Sequence, residues 1–488
     1  MSYDATSLAK LVKTKQISST ELIEQSLKKI DQDNPELNAV IHRRDQKAKA
    51  ESYSDGPFAG VPILLKGLGQ SLAGEPATFG SKLMVGNIAP KTDNFVQALL
   101  DAGFLILGET NAPEFGFKNI TDPDLYGPTR NPWNLEFSPG GSSGGSASAL
   151  ASDMVSLAAG NDGGGSIRIP ASFSGLMGLK PTRGRVPVGP DTWRGWQGAS
   201  INFGLTRSIR DTATLLDCLQ TVQPAAPFQT PMYPSGFLNA TKEELPKDLK
   251  VAYSYQSPVG TPVSDDAVEA VKKAVDFLDQ QGIATYQAEP KTDGIALMKG
   301  YYVINGGETA AMFANLEQAL QRELTIDDME LTTWNIYQAG KLISAVDYSH
   351  TLDLWDNQSY VADQFYQDYD LFLTPTTAYT APKIDQELMT PETLEKMRHV
   401  DDLDKTGRLD LIWEFFERSL TLSPFTQQAN MTGQPALSLP TYVSDNDLPL
   451  GIQFTARKGD EALLLQMGKL FEDQEQLKFL HSTEQIDK

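Results

Sequence analysis

Near the start of the chain, hydrophobic positions recur at helical spacing. Ile23, Leu27 and Ile30 fall on one face of SSTELIEQSLKKI, with Ser18 and Glu21 placed as a capping box and Ile17 and Leu22 at staple positions. Residues 1 to about 55 are therefore expected to form a helical region packed on a larger body. From residue 57 the pattern changes to short apolar runs broken by Gly and Pro: VPILL at 61–65, FLILG at 104–108 and MVSLAAG at 154–160. Runs of that length predict buried strands. Helical patterns lie between them, such as Phe95, Ala98 and Leu99 before the break at Gly103, so the fold class is α/β, a sheet covered by helices.

The Pro-rich stretch 223–236 predicts a surface connection, and LKVAYSY at 249–255 a strand. Val268, Val271, Val275 and Leu278 then repeat at helical spacing, in a segment that Ser264 can cap and Gly282 can end, and IATYQ follows as a second strand. That order makes a βαβ unit. Residues 290–365 are helical in pattern, YDLFLTPTTA at 369–378 returns to buried-strand texture, and PALSLPTYV with PLGIQFTA predicts a late strand pair.

Charge narrows the partners. Across 488 residues, 41 Lys and Arg face 63 Asp and Glu, a net charge of −22 that repels nucleic-acid phosphates and anionic membrane. The single cysteine, Cys218, cannot form an internal disulfide or a Cys-cluster metal site, and core packing is its expected role. The first thirty residues hold no apolar signal core, and no run of about 18 apolar residues occurs. A soluble, cytoplasmic monomer or homodimer with no membrane or nucleic-acid partner is the expectation.

One segment stands apart: SPGGSSGGSASALASDMVSLAAGNDGGGSIRIPASFSG, at 138–175, carries two Gly/Ser clusters. Each ordered Gly gives up about 0.5–1 kcal/mol more backbone freedom than Ala, so such density points to backbone approaching a ligand. Flexible linkers do not flank a helix-like run such as SASALASDMVSLA, and neither phosphate-loop pattern is present. Exposed hydroxyls beside backbone amides suit acyl transfer. GGSSG at 140–144 does match a nucleophile elbow, but NPWNLEFSP before it is no hydrophobic strand, and His350, His399 and His481 all sit in polar surroundings. If histidine is not the base, a desolvated lysine is the main substitute. Lys66 directly follows PILL, and burial can bring an amine from about 10.4 towards pH 7–8, although a strand-end lysine at the surface would look the same.

Those residues resemble the amidase signature family. The resemblance rests on GGSSGGSASALA, GNDGGGSIRIPASFSGLMGLKPTRGRVP, VPILLKG and NPWN, and extends to GETNAPEFG, LTRSIRD, YDLFLTPTT and NMTGQPALSLP, most of the chain outside about 225–365. It implies one large domain with a central twisted mixed sheet and helices on both faces. Within it, a triad-bearing core would span about 56–222, a variable helical substrate side about 290–365, and C-terminal core elements about 366–488. It also implies a Ser-Ser-Lys triad: Ser166 as nucleophile, Ser142 as the bridge, its peptide bond cis, and Lys66 as base. The N–H groups of Gly163, Gly164, Gly165 and Ser166 would form the oxyanion hole, Asp162 and Arg168 would support the loop, and Ser143 would join the network. No metal or organic cofactor is implied, and the partners are a small amide and water.

Gly67 replaces an acidic residue found in many members, and Asn161-Asp162-Gly163 also departs from the usual loop; the whole pattern most resembles the branch containing 6-aminohexanoate cyclic dimer hydrolases. The alternative is the glutaminase-type component of a tRNA-dependent amidotransferase complex, which shares the triad. Segment 189–211 lacks the resemblance expected of that component, and the charge of −22 does not favour tRNA. The substrate pocket is expected among 290–365, Trp193, Trp196 and Phe115 to Asn119.

Overall fold

In the computed structural model, which describes residues 2–481 and 483–485, the apolar runs align as one mixed sheet of eleven strands. In chain order these are β1 (Val40–Arg43), β2 (Pro62–Lys66), β3 (Leu105–Thr110), β4 (Ala158–Asp162), β5 (Met177–Lys180) and β6 (Ile201–Thr206). They continue with β7 (Lys250–Tyr253), β8 (Ala284–Gln287), β9 (Leu371–Pro375), β10 (Ala436–Val443) and β11 (Pro449–Ala456). Across the sheet the order is β1-β3-β2-β4-β6-β5-β10-β11-β9-β7-β8. β3, β2 and β4 run parallel, the middle strands from β4 to β9 alternate antiparallel, and β9, β7 and β8 are parallel again. Every residue of β2, β4 and β11 is buried. Strands covered on both faces read as continuous rather than alternating apolar runs, which is why they are legible as such in the sequence.

Local signals set the boundaries. Ser18 accepts from Glu21 N–H at 3.2 Å while Glu21 accepts from Ser18 N–H at 2.8 Å, and the helix Ser19–Leu37 buries Leu22, Ile23, Leu27 and Ile30. The βαβ unit forms as β7, helix Asp265–Gln280 and β8, with Ser264 Oγ accepting from Ala267 N–H. Its buried face is Ala270, Val271, Ala274, Phe277 and Leu278, rotated slightly from the valine stripe, since Val268 and Val275 are only half-buried. The run at 154–160 is not one strand. Asp153 turns the chain in the left-handed region after helix Gly144–Ala151, Met154 to Leu157 enter the core without sheet pairing, and β4 starts at Ala158 and ends on the polar pair Asn161 and Asp162.

Beyond the sheet, helices Gly294–Leu320, Leu331–Gly340, Ala345–Phe365 and Lys405–Leu422 gather a second apolar cluster around Leu297, Phe313, Tyr337, Ile412 and Phe415. This cluster shapes one side of the pocket described below. Among the described residues no helix is long and apolar enough to cross a membrane.

Candidate active site

Lys66 ends β2 with its side chain in the interior, 1% exposed. Its Nζ lies 2.7 Å from Ser142 Oγ and 2.6 Å from Asn161 Oδ1. Ser142 comes from the Gly-rich turn before helix Gly144–Ala151, where the Gly141–Ser142 peptide bond is cis, and Asn161 from β4. Burial pulls the lysine down from 10.5 to about 7, against the attraction of Asp162, which opposes the fall. Near neutrality the amine is thus divided between its two protonation states. It donates to Ser142 when charged and can accept the Ser142 proton when neutral. Asn161 is held in turn, its Nδ2 donating to Leu68 O at 2.8 Å, and Ser143 Oγ donates to Asn161 O at 3.2 Å.

Ser166 sits on the loop between β4 and helix Arg168–Ser174, half-buried, on the wall of a pocket enclosing about 670 Å³ of empty space, part of it continuous with solvent. Ser143 N–H donates to Ser166 O at 3.2 Å and so joins the two Gly/Ser clusters. The structure contains no direct hydrogen bond between the Ser142 and Ser166 hydroxyls.

The loop is braced from below by one fully buried ion pair. Asp162 accepts from Arg168 Nε at 2.9 Å and Nη2 at 3.0 Å, from Asn430 Nδ2 at 2.8 Å and from the N–H groups of Gly165 at 2.7 Å and Ile167 at 3.2 Å. Burial raises the Asp162 carboxyl, but Arg168 and Asn430 outweigh it and hold the group at about 2. Arg168 also donates to Gln453 Oε1 at 3.1 Å and Asn430 Oδ1 at 2.7 Å. One sequence expectation is corrected here: the Gly165 N–H is committed to Asp162 and is not free for an oxyanion. Gly165 is required for another reason. Its φ is +126°, and a Cβ there would stand 2.2 Å from Thr426 Oγ1.

Removing one partner of such a pair strands the other charge. Asp162→Asn is expected to lower unfolding free energy by about 3–5 kcal/mol at neutral pH, measured by urea denaturation. The Asp162 contribution belongs to the ionised form, so it is full above the ordinary value near 3.8 and lost as pH falls through about 2. The gap between wild type and variant should therefore narrow on acidification and stay constant from pH 5 to pH 8, roughly.

Around the pocket, Gly116, Phe117 and Asn119 form one rim and Trp196 another, its ring stacked on Phe117 at 6.2 Å and its backbone N–H donating to Glu308 Oε2 at 3.2 Å. Met298, Tyr301, Tyr302 and Asn305 enter from helix Gly294–Leu320. Trp193 and Phe115 do not line it. Trp193 packs on Gly189, and Phe115 is buried against Phe313. Sequence patterning missed the wall from Ile412 to Gln427 and the lysine partner Asn161. The former carries only an amphipathic helix signal; the latter lay inside GNDGGGS as a polar residue closing a buried strand, which is a cue that it has a partner. His350, His399 and His481 are exposed and away from the pocket wall. Among the described residues no three His, Cys, Asp or Glu side chains come together in a way that could hold a metal ion.

The chain is similar to known proteins over most of its length. The family model described as Amidase matches residues 21–465. A lipoamidase of Enterococcus faecalis is 43% identical over 98% of this chain, and the chain spans 64% of that relative's length. A solved 6-aminohexanoate cyclic dimer hydrolase, complexed with substrate, superposes with a TM-score of 0.88 at 35% identity, covering 96% of each chain. A glutamyl-tRNA(Gln) amidotransferase chain of Thermotoga maritima is more distant, with a TM-score of 0.73 at 26% identity, covering 93% of this chain and 92% of that one.

Proposed function

From the premise that the chain belongs to the amidase signature family of amide-bond hydrolases, we propose that it cleaves linear carboxamides through an acyl-enzyme on Ser166, with Lys66 as base and Ser142 as proton bridge. The observation that carries this reading is the buried Lys66 amine, held at about 7 and 2.7 Å from Ser142 Oγ. In its neutral form Lys66 takes the Ser142 proton as Ser142 takes that of Ser166, and Ser166 Oγ attacks the carbonyl carbon. Rotation of the Ser166 side chain on substrate binding closes the hydroxyl–hydroxyl link, since catalytic hydrogen bonds often tighten only in the complex.

The tetrahedral oxyanion is met by the N–H groups of Gly163, Gly164 and Ser166, each well-aimed donor contributing about 3–4 kcal/mol. Collapse breaks the C–N bond and the relay delivers its proton to the departing nitrogen. Water then adds to the ester, its proton passing through Ser142 to Lys66; collapse breaks the ester bond to Ser166 Oγ, the relay returns the proton to that oxygen, and the acid leaves. Residues of this chain supply each step, so the reaction requires no cofactor. The aromatic wall suits a medium-length apolar acyl chain, in keeping with the names of the lipoamidase and the cyclic dimer hydrolase. The single cysteine is compatible with a reducing, cytoplasmic setting.

Turnover of hexanamide with added hydroxylamine is the test. Diversion of the acyl group to the hydroxamate, together with an acyl mass adduct on the Ser166 peptide after acid quench, is expected. Steady turnover with neither product would rule out the covalent route.

A further inference from the structure

Two aromatic side chains stand directly on the glycines that precede Ser166. A Cβ on Gly163 would lie 2.5 Å from the Trp196 ring, and one on Gly164 would lie 2.8 Å from the Tyr301 hydroxyl. Gly165 has a positive φ and Gly164 does not, so at 164 it is the closeness of Tyr301, not the backbone, that disfavours a side chain. Tyr301 comes from helix Gly294–Leu320, is half-buried, and lines the same pocket as Gly164 and Ser166. Its ring is set edge-on against Trp196, 5.8 Å between centroids. The hydroxyl is therefore aimed at the oxyanion loop.

Its proton is unspent. Burial and the charge of Asp162 raise the phenol above its ordinary value, against a hydrogen bond from Asn305, so at neutral pH the group is O–H and not phenolate. A contact that favours the phenolate is one donated to the oxygen, so the Asn305 NH₂ gives and the phenol accepts. Neither neighbouring amide takes the proton in return, because Asn305 Oδ1 and Gln427 Oε1 have no hydrogen-bond partner. Gly164 O is already served by Thr426 Oγ1 at 2.7 Å. On the same loop the Gly165 N–H is turned to Asp162, which leaves one backbone donor fewer than four residues could offer. Tyr301 brings an O–H to the residue beside it.

We propose that Tyr301 is a further catalytic residue, its hydroxyl donating to the substrate oxygen as that oxygen becomes the tetrahedral oxyanion over Gly164. The inference rests on the amidohydrolase reading and adds a donor to its transition state. As Ser166 Oγ bonds to the carbonyl carbon, the C=O π pair moves onto oxygen, where the phenol O–H and the loop N–H groups meet it without giving up a proton; the pair returns when the C–N bond breaks. Attack of water on the ester forms the same oxyanion a second time. The proton for the departing nitrogen comes from the relay, so the phenol is not needed as an acid. Asn305 is a positioning residue: by donating to the phenol oxygen it holds the O–H towards the loop.

Tyr301→Phe removes the O–H and keeps the ring against Trp196. Its kcat/KM for hexanamide is expected to fall about 10²- to 10³-fold, carried by kcat with KM little changed. Two further probes identify the atom served. p-Nitrophenyl hexanoate has a leaving group that needs no proton, and it should lose a comparable factor because attack on it forms the same oxyanion. 1,1,1-Trifluoroheptan-2-one, which adds Ser166 and keeps a tetrahedral oxygen, should inhibit the variant more weakly by a similar factor. Full activity of Tyr301→Phe, a loss confined to KM, or a loss with the amide that the ester and the ketone do not share overturns the proposal. Should that variant not fold, Asn305→Leu is read on the same three probes, and a shared loss of about tenfold is expected; a loss confined to the amide or to KM again overturns it. A wild-type enzyme inert to hexanamide and the ester and unaffected by the ketone would remove the amidohydrolase reading, and this proposal with it.

Discussion

Ser166→Ala is expected to reduce kcat/KM for amides by about 10⁴- to 10⁶-fold, the range seen when a serine nucleophile is removed from a charge-relay unit. The residual rate would come from the oxyanion donors and from binding, neither of which uses the Ser166 hydroxyl. The fold should not change. Ser166 is held by its backbone, with its carbonyl accepting from Ser143 N–H, and its loop is fixed by Asp162 and Arg168, none of which involves Oγ. Substrate affinity should be retained, so titration of the variant with hexanamide separates lost chemistry from a lost site. Ordinary turnover by Ser166→Ala would remove the nucleophile assignment and leave the pocket without a mechanism.

How much of the fold and site is legible in the sequence depends on the range over which each feature is encoded. The capping box at Ser18, the buried runs of β2 and β11 and the βαβ unit after residue 249 are local, and periodicity or composition exposes them. The Lys66 environment is half legible. PILL before it forecasts a buried strand, but the partner Asn161 lies 95 positions away, and only the packing of β2 beside β4 makes them neighbours. The brace under Ser166 shows the same limit. Asp162 and Arg168 are close in the chain, whereas Asn430 and Gln453, which complete their hydrogen bonds, arrive from the helix preceding β10 and from β11. The oxyanion loop departs from expectation in one detail for a physical reason: four consecutive N–H groups look equivalent as letters, yet a carboxylate beneath the turn claims that of Gly165. Pocket walls are least legible, because Phe115 and Trp193 are aromatic like Phe117 and Trp196, and only tertiary packing decides which rings face the cavity.

Lys66→Met should separate activity from stability by moving them in opposite directions. Without the base, kcat/KM is expected to fall by about 10³-fold or more. In the wild-type enzyme, kcat/KM should drop by about tenfold for each pH unit below 7, as the amine is protonated, and level off above it. The fall of the Lys66 amine from 10.5 to about 7 means that burial opposes folding by roughly 5 kcal/mol at low pH. Methionine carries no such charge but leaves Asn161 Oδ1 and Ser142 Oγ without their Lys66 partner, a loss of about 1–3 kcal/mol. The balance favours the variant by about 2 kcal/mol at pH 7, to be measured by urea denaturation. The sign of the pH dependence follows from which state holds the proton: between pH 7 and 10.5 the unfolded chain binds one that the folded chain does not, so wild-type stability climbs through that window. The variant's advantage should therefore be greatest at or below pH 7 and shrink towards pH 10, reversing where only the cost of the stranded Asn161 and Ser142 oxygens remains. A variant that is less stable than wild type at pH 6, or a gap that does not change with pH, would show that the Lys66 amine stays charged in the folded protein and cannot be the resting base.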